Sequence, residues 1–180
     1  MMFVEFPGEG VWLIGRISEN LMARNLLLGT AESCTGGLAA VLCTNIPGSS
    51  RWFRGSIVAY ENELKTSLLN VDSSLIAEHG AVSGPVAEAM AKGALETLGV
   101  QVALAITGIA GPDGGTPDKA VGTVWIATAV QVPEKAQSPY VASFCRHFPG
   151  DRSDVRFGAA LASFGAIDAA LSAVGMAEPV

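Results

Sequence analysis

A short apolar run, Leu26-Leu27-Leu28, passes into Ala31-Glu32-Ser33-Cys34-Thr35-Gly36-Gly37 and then into Leu38-Ala39-Ala40-Val41-Leu42. This succession reads as a buried strand over about 26–32, a sharp turn, and a helix over about 34–44. Ser33 and Thr35 are residue types that accept the first N–H groups of a helix, and Gly36 and Gly37 keep its first turn free of bulky side chains. A helix start carries unpaired N–H groups and a partial positive charge. Three uses are open: a cradle for phosphate, a stabiliser of an oxyanion beside a serine nucleophile, or simply a well-capped helix in an α/β domain.

The rest of the chain repeats the alternation. Between Gly10 and Arg24, Ile14, Ile17, Leu21 and Met22 share one helical face, and Asn25 suits a left-handed stop. Phe53 to Tyr60 reads as a strand. Asn62 then caps a short helix carrying Lys65, Leu68 and Leu69, and another helix occupies about 73–79. Ser83 or Gly84, with Pro85 in the first turn, opens a longer helix that runs to Leu98 and stops at Gly99. Val102-Ala103-Leu104-Ala105-Ile106 is apolar throughout, as expected of a strand covered on both faces, and leads into the loop Thr107-Gly108-Ile109-Ala110-Gly111-Pro112-Asp113-Gly114-Gly115. Strands follow near 122–130 and 140–148. A last helix, about Asp151 to Ala173, is charged only in its first turns and at Asp168, so most of its faces seek burial, which points to subunit contact. The pattern predicts a single domain over 1–180, with its core at about 10–173. Its fold class is a three-layer α/β/α sandwich around a mostly parallel or mixed sheet. Ligands in such sheets sit beyond the carboxyl ends of strands, so the loops 31–37 and 107–115 should converge on one cleft.

Composition narrows the function. The chain is 49% hydrophobic, but Ala and Gly carry much of that share, which suits close helix-on-sheet packing. Its net charge of −6 and scattered lysines and arginines argue against a nucleic-acid binder. No uninterrupted apolar run approaches the roughly 18–20 residues of a membrane span, and the opening residues lack a basic n-region, so a cytoplasmic location with no membrane partner is expected. Cys34, Cys43 and Cys145 show no metal spacing and fit reduced thiols. Asp113 and Asp118 lack companion ligands, so no metal is expected.

Ser33 needs a base to become a nucleophile. The only histidines are His79, which reads as a residue at a helix end, and His147, which reads as a surface or structural residue of a terminal strand, so a Ser-His-Asp triad has little support. Cys34 lies one residue deeper in the turn and reads better as a small buried thiol than as the nucleophile. Lys65, in the first turn of its helix, is the better base: the positive helix end disfavours its ammonium form. That dipole supplies about 1 kcal/mol of the roughly 3–4 kcal/mol needed to make the amine basic near neutral pH, so burial must supply the rest. Tyr60, at the end of the preceding strand, can pass or orient the proton. The competing reading is a solvated surface lysine and an ordinary strand aromatic. Arg152 and Arg156, one turn apart, either clamp a phosphate or pair with Asp151 and Asp154.

Taken in order, Ala31-Glu32-Ser33-Cys34-Thr35-Gly36-Gly37, Pro47-Gly48-Ser49-Ser50, Tyr60 with Lys65, Gly80-Ala81-Val82-Ser83, Met90-Ala91, Thr107 to Gly115, Val121-Gly122-Thr123-Val124 and Gly150-Asp151-Arg152 resemble the CinA C-terminal domain family, the nicotinamide-nucleotide amidases. The resemblance covers about residues 10–173. It implies hydrolysis of nicotinamide mononucleotide to nicotinate mononucleotide and ammonia, in pyridine nucleotide salvage. By position it implies Ser33 as nucleophile with Lys65 and Tyr60 as partners. The substrate contacts implied are Cys34, Thr35, Gly36, Gly37, Thr107, Gly108, Ala110, Gly111 and Arg152. Neither metal nor cofactor is implied, and the assembly implied is a homodimer or higher homo-oligomer. The larger CinA proteins carry a nucleotide-processing domain upstream, and this chain resembles the stand-alone form. Ala120 stands where the family often has proline before Val-Gly-Thr. A different class of reading keeps the same pocket as a non-catalytic module that binds a nucleotide or a partner.

Overall fold

The computed structural model describes residues 8–131 and 138–177. Five strands, β1 (Leu28–Glu32), β2 (Phe53–Val58), β3 (Val102–Gly108), β4 (Thr123–Val130) and β5 (Tyr140–His147), form one sheet in the order β2-β1-β3-β4-β5. β1 is parallel to both its neighbours, with Glu32 opposite Val58 on one side and Ile106 on the other, whereas β4 is antiparallel to β3 and to β5. Among the described residues the helices are α1 (Gly8–Ala23), α2 (Leu38–Thr44), α3 (Asn62–Leu69), α4 (Ser73–His79), α5 (Gly84–Leu98) and α6 (Arg152–Ala173). α1, α2 and α6 cover one face of the sheet, and α3, α4 and α5 the other. This is the three-layer α/β/α architecture with a mixed sheet.

The two-residue period of the strands makes the two faces unlike each other. Leu28, Val102, Leu104, Ile106, Val124 and Ile126 send large side chains toward α1 and α6, where Ile14, Ile17, Leu21 and Phe164 meet them. Ala31, Ala103, Ala105, Ala127 and Ala129 face α5, whose own Ala87, Ala91 and Ala94 allow a close approach. α3 is drawn in equally tightly: a Cβ at Gly93 of α5 would collide with the Leu69 carbonyl oxygen.

Several element ends fall where the sequence predicts them. Ser83 holds the N-cap position of α5, with its hydroxyl turned back onto the Gly80 carbonyl, Pro85 lies in the first turn and Gly99 closes the helix at φ +60°. Other ends differ. The second helix begins at Leu38 rather than 34, because Gly36 and Gly37 sit at φ +61° and +95°, outside the helical region. Neither Ser33 nor Thr35 caps it; the N-cap position is Gly37. The cap of α3 is Glu61, with Asn62 the first helical residue. β3 runs on through Thr107 and Gly108, which the sequence reading assigns to a loop. α6 is long and apolar enough, by length and composition, to cross a bilayer. Here it is a core helix, burying Val155, Ala159, Phe164, Ile167 and Leu171 and pairing Asp168 with Arg16 of α1 at 2.6 Å.

Candidate active site

Three parallel strands end side by side at one edge of the sheet, and the chain leaves β1 and β2 toward helices on opposite faces. Such a divergence opens a crevice beyond the strand ends. Ser33 follows β1 directly, and its N–H donates to the Ile106 carbonyl of β3 at 2.9 Å. Ala59 and Tyr60 follow β2, and the Ala59 N–H donates to the Glu32 carbonyl at 2.8 Å. The Thr107 hydroxyl, at the end of β3, donates to the Ala81 carbonyl at 2.9 Å, which draws the link between α4 and α5 into the same wall. The result is a cavity of about 220 Å³ lined by Ser33, Cys34, Tyr60, Asn62, Lys65, Ala81, Val82, Thr107, Gly108, Ala110 and Arg152. The loops after β1 and β3 therefore do converge.

Lys65 sits in the first turn of α3 and is 1% exposed. Its Nζ donates to the main-chain carbonyls of Ala59 at 3.1 Å and Tyr60 at 2.9 Å. Burial pushes its pKa below the ordinary 10.5, against smaller opposing effects of Glu61 and Cys34. Desolvation is therefore the main lever on this amine. Tyr60 is 53% exposed, and its phenolic oxygen accepts from the Arg152 guanidinium at 3.1 Å, so the residue serves through both its carbonyl and its ring. Arg152 also donates to the Gly111 carbonyl at 2.8 Å. With Ala110 it stands between the first cavity and a neighbouring one of about 510 Å³, which is lined further by Gly111, Pro112, Val121, Gly150, Asp151 and Ser153.

The start of α2 is already occupied from within. The Glu32 carboxylate, fully buried, accepts from the N–H groups of Gly37, Ala39 and Ala40 at 2.9, 3.1 and 2.9 Å. It accepts also from the hydroxyls of Thr35, Thr30 and Ser56 at 2.8, 3.3 and 3.3 Å. The expectation that these helical N–H groups hold a substrate phosphate or an oxyanion is thus corrected. Thr35, Gly36 and Gly37, expected at the substrate, lie outside the cavity wall, Thr35 being turned onto Glu32. Gly111 lines the second cavity instead of the first.

The two arginines part company as well. Arg156 donates to the Thr35 carbonyl at 2.9 Å and steadies the turn. Asp151 and Asp154, offered as their ion partners, build the capping box of α6. Cys34 lines the cavity, but burial pushes its thiol up to about 12, which leaves it protonated and inert. His79 lies in the last turn of α4, where its carbonyl accepts from Lys119 Nζ at 2.9 Å, and His147 is exposed at the end of β5. Asn62, Ala81 and Val82 are cavity residues that the sequence reading misses, since nothing local in Gly80-Ala81-Val82 announces contact with a cleft 26 residues away in sequence.

Known proteins share this layout. A competence/damage-inducible protein of Agrobacterium tumefaciens superposes with a TM-score of 0.84 at 36% identity, covering 93% of this chain and 99% of that one. The competence damage-inducible protein A of Klebsiella pneumoniae gives 0.83 at 29% identity, covering 91% and 97%. A CinA-like protein of Mycolicibacterium vanbaalenii is 50% identical over 151 residues, 84% of this chain but 34% of the relative. Another from Gemmatimonas aurantiaca is 50% identical over 76% of this chain and 30% of its own length. The chain thus spans about a third of the curated relatives it matches. The model of the CinA C-terminal domain matches residues 12–171, and with the shared fold and relatives this establishes that the chain belongs to the CinA C-terminal domain family.

Proposed function

We propose that the chain is an amidohydrolase that converts nicotinamide mononucleotide to nicotinate mononucleotide and ammonia through an acyl-enzyme on Ser33. The observation that carries this reading is the buried Lys65 amine, held by two carbonyls and facing the same small cavity as Ser33. A neutral amine that gives both its N–H bonds to Ala59 and Tyr60 keeps its lone pair for a proton. Serine–lysine pairs are a recurring variant of the serine–histidine arrangement.

In this mechanism Ser33 Oγ attacks the carboxamide carbon as its proton passes to Lys65 Nζ, directly or through the Tyr60 hydroxyl. The oxyanion is met by main-chain N–H groups of the turn, that of Cys34 foremost, because those of α2 belong to Glu32; the residue after a serine nucleophile commonly fills this role. Lys65 returns the proton to the leaving nitrogen, the C–N bond breaks and ammonia departs. Water, deprotonated by the same amine, then cleaves the Ser33 ester. The ring occupies the 220 Å³ cavity and the ribosyl phosphate extends past Arg152 into the 510 Å³ one. No metal is required for any step.

Ammonia release from nicotinamide mononucleotide, measured for the wild type and for Ser33→Ala, tests the proposal. Turnover by the wild type and its loss in a folded variant that still binds the nucleotide are expected. Binding without ammonia in both proteins would instead identify a nucleotide-binding module.

A further inference from the structure

Glu32 directly precedes Ser33, is fully buried and takes no part in the cavity wall. We infer that Glu32 is the positioning residue of the Ser33 turn, its carboxylate fixing the direction in which the serine meets the cavity. The inference rests on the Ser33 reading above. The turn it spans contains two successive glycines at positive φ, a sequence that by itself favours no single conformation. One carboxylate oxygen gathers the Thr35 hydroxyl and the Gly37 and Ala39 N–H groups, so it grips the turn and the helix start together. The other takes the Ala40 N–H and the hydroxyls of Thr30 in β1 and Ser56 in β2, so it ties that turn to the sheet.

A fold that needed only a helix cap would place Ser, Thr or Asp at the N-cap, at little cost. This helix has Gly37 there and buries a carboxylate instead, which is expensive unless fully bonded. The Ser56 and Thr30 contacts add nothing to the capping of α2. They are what anchoring the turn requires.

Glu32→Ala, Glu32→Gln and Thr35→Val test this by steady-state kinetics of ammonia release and by amide hydrogen exchange. Misplacing a nucleophile by about 1 Å costs on the order of 10²-fold, so Glu32→Ala should lose about that much kcat with KM little changed. Glu32→Gln keeps an oxygen for Thr35, Gly37 and Ala39 and should recover a large part of the loss. Exchange should quicken over residues 33–40 in Glu32→Ala while β3 and α5 stay protected. Wild-type kcat in Glu32→Ala, or equal losses in the Gln and Ala variants, overturns the inference. If Glu32→Ala does not fold, Thr35→Val, which removes one donor and no charge, should still lower kcat several-fold at constant KM, and an unchanged kcat overturns it. If the wild type releases no ammonia, the Ser33 reading fails by itself; exchange then judges Glu32 alone, and unchanged exchange over 33–40 sinks it.

Discussion

At the scale of residues, the proposed chemistry turns on a single amine. Lys65 is buried, and its lowered pKa leaves the folded chain with fewer bound protons than the unfolded chain, where the amine titrates near 10.5. Stability should therefore rise with pH between the lowered value and 10.5, and level off at its lower plateau once pH is below the lowered value. Lys65→Met lacks this dependence. Its melting temperature relative to wild type should decline as pH rises from the lowered value toward 10.5, and a flat difference across that window would contradict the burial argument. Cys34 gives a second check. With its thiol near 12, alkylation at pH 8 should mark the exposed Cys145 and spare Cys34 until the chain unfolds, as read by mass spectrometry of the labelled peptides. Modification of Cys34 at the rate of Cys145 would refute it. The spacing from Tyr60 to Lys65 was legible in the sequence, but the burial of the lysine was not, because it depends on how α3 folds back onto the end of β2. The part played by Glu32 was hidden for the same reason: its partners run from Thr30 to Ala40 and on to Ser56 in β2, and only the folded-back turn and the paired strands bring them within reach.

At the scale of elements, glycine and proline carried most of what could be read. The start and stop of α5 were legible in Ser83, Pro85 and Gly99. The start of α2 was not, since a tertiary contact from Glu32 replaces the local Ser/Thr cap that the pattern suggests. Close approach of α3 to α5 was equally invisible, although it presents Lys65 to the cavity. Gly93→Ala puts a methyl group onto the Leu69 carbonyl oxygen. Overpacking of this kind costs about 1–3 kcal/mol. The variant should melt at a lower temperature and lose ammonia-releasing activity as α3 shifts; wild-type behaviour in both would mean that the contact can relax freely.

At the scale of the whole molecule, the alternation of strand and helix patterns was enough to predict three layers and a cleft at the strand ends. The sheet's mixed character was left open by the sequence, yet a physical reason is visible. A parallel crossover needs a dozen or more residues, usually helical. The segment between β3 and β4 is glycine-rich and carries no helical period, so β4 turns back antiparallel to β3. Because the proposed chemistry draws only on groups of the chain and on water, a chelator such as EDTA should leave ammonia release unchanged, and strong inhibition that a divalent metal reverses would count against it. The most direct test of the central claim, that a buried neutral amine activates Ser33, is the kcat/KM for ammonia release from nicotinamide mononucleotide by Lys65→Met. The account predicts a loss of about 10²–10⁴-fold or more in a folded protein that still binds the nucleotide. Turnover close to wild type would contradict it.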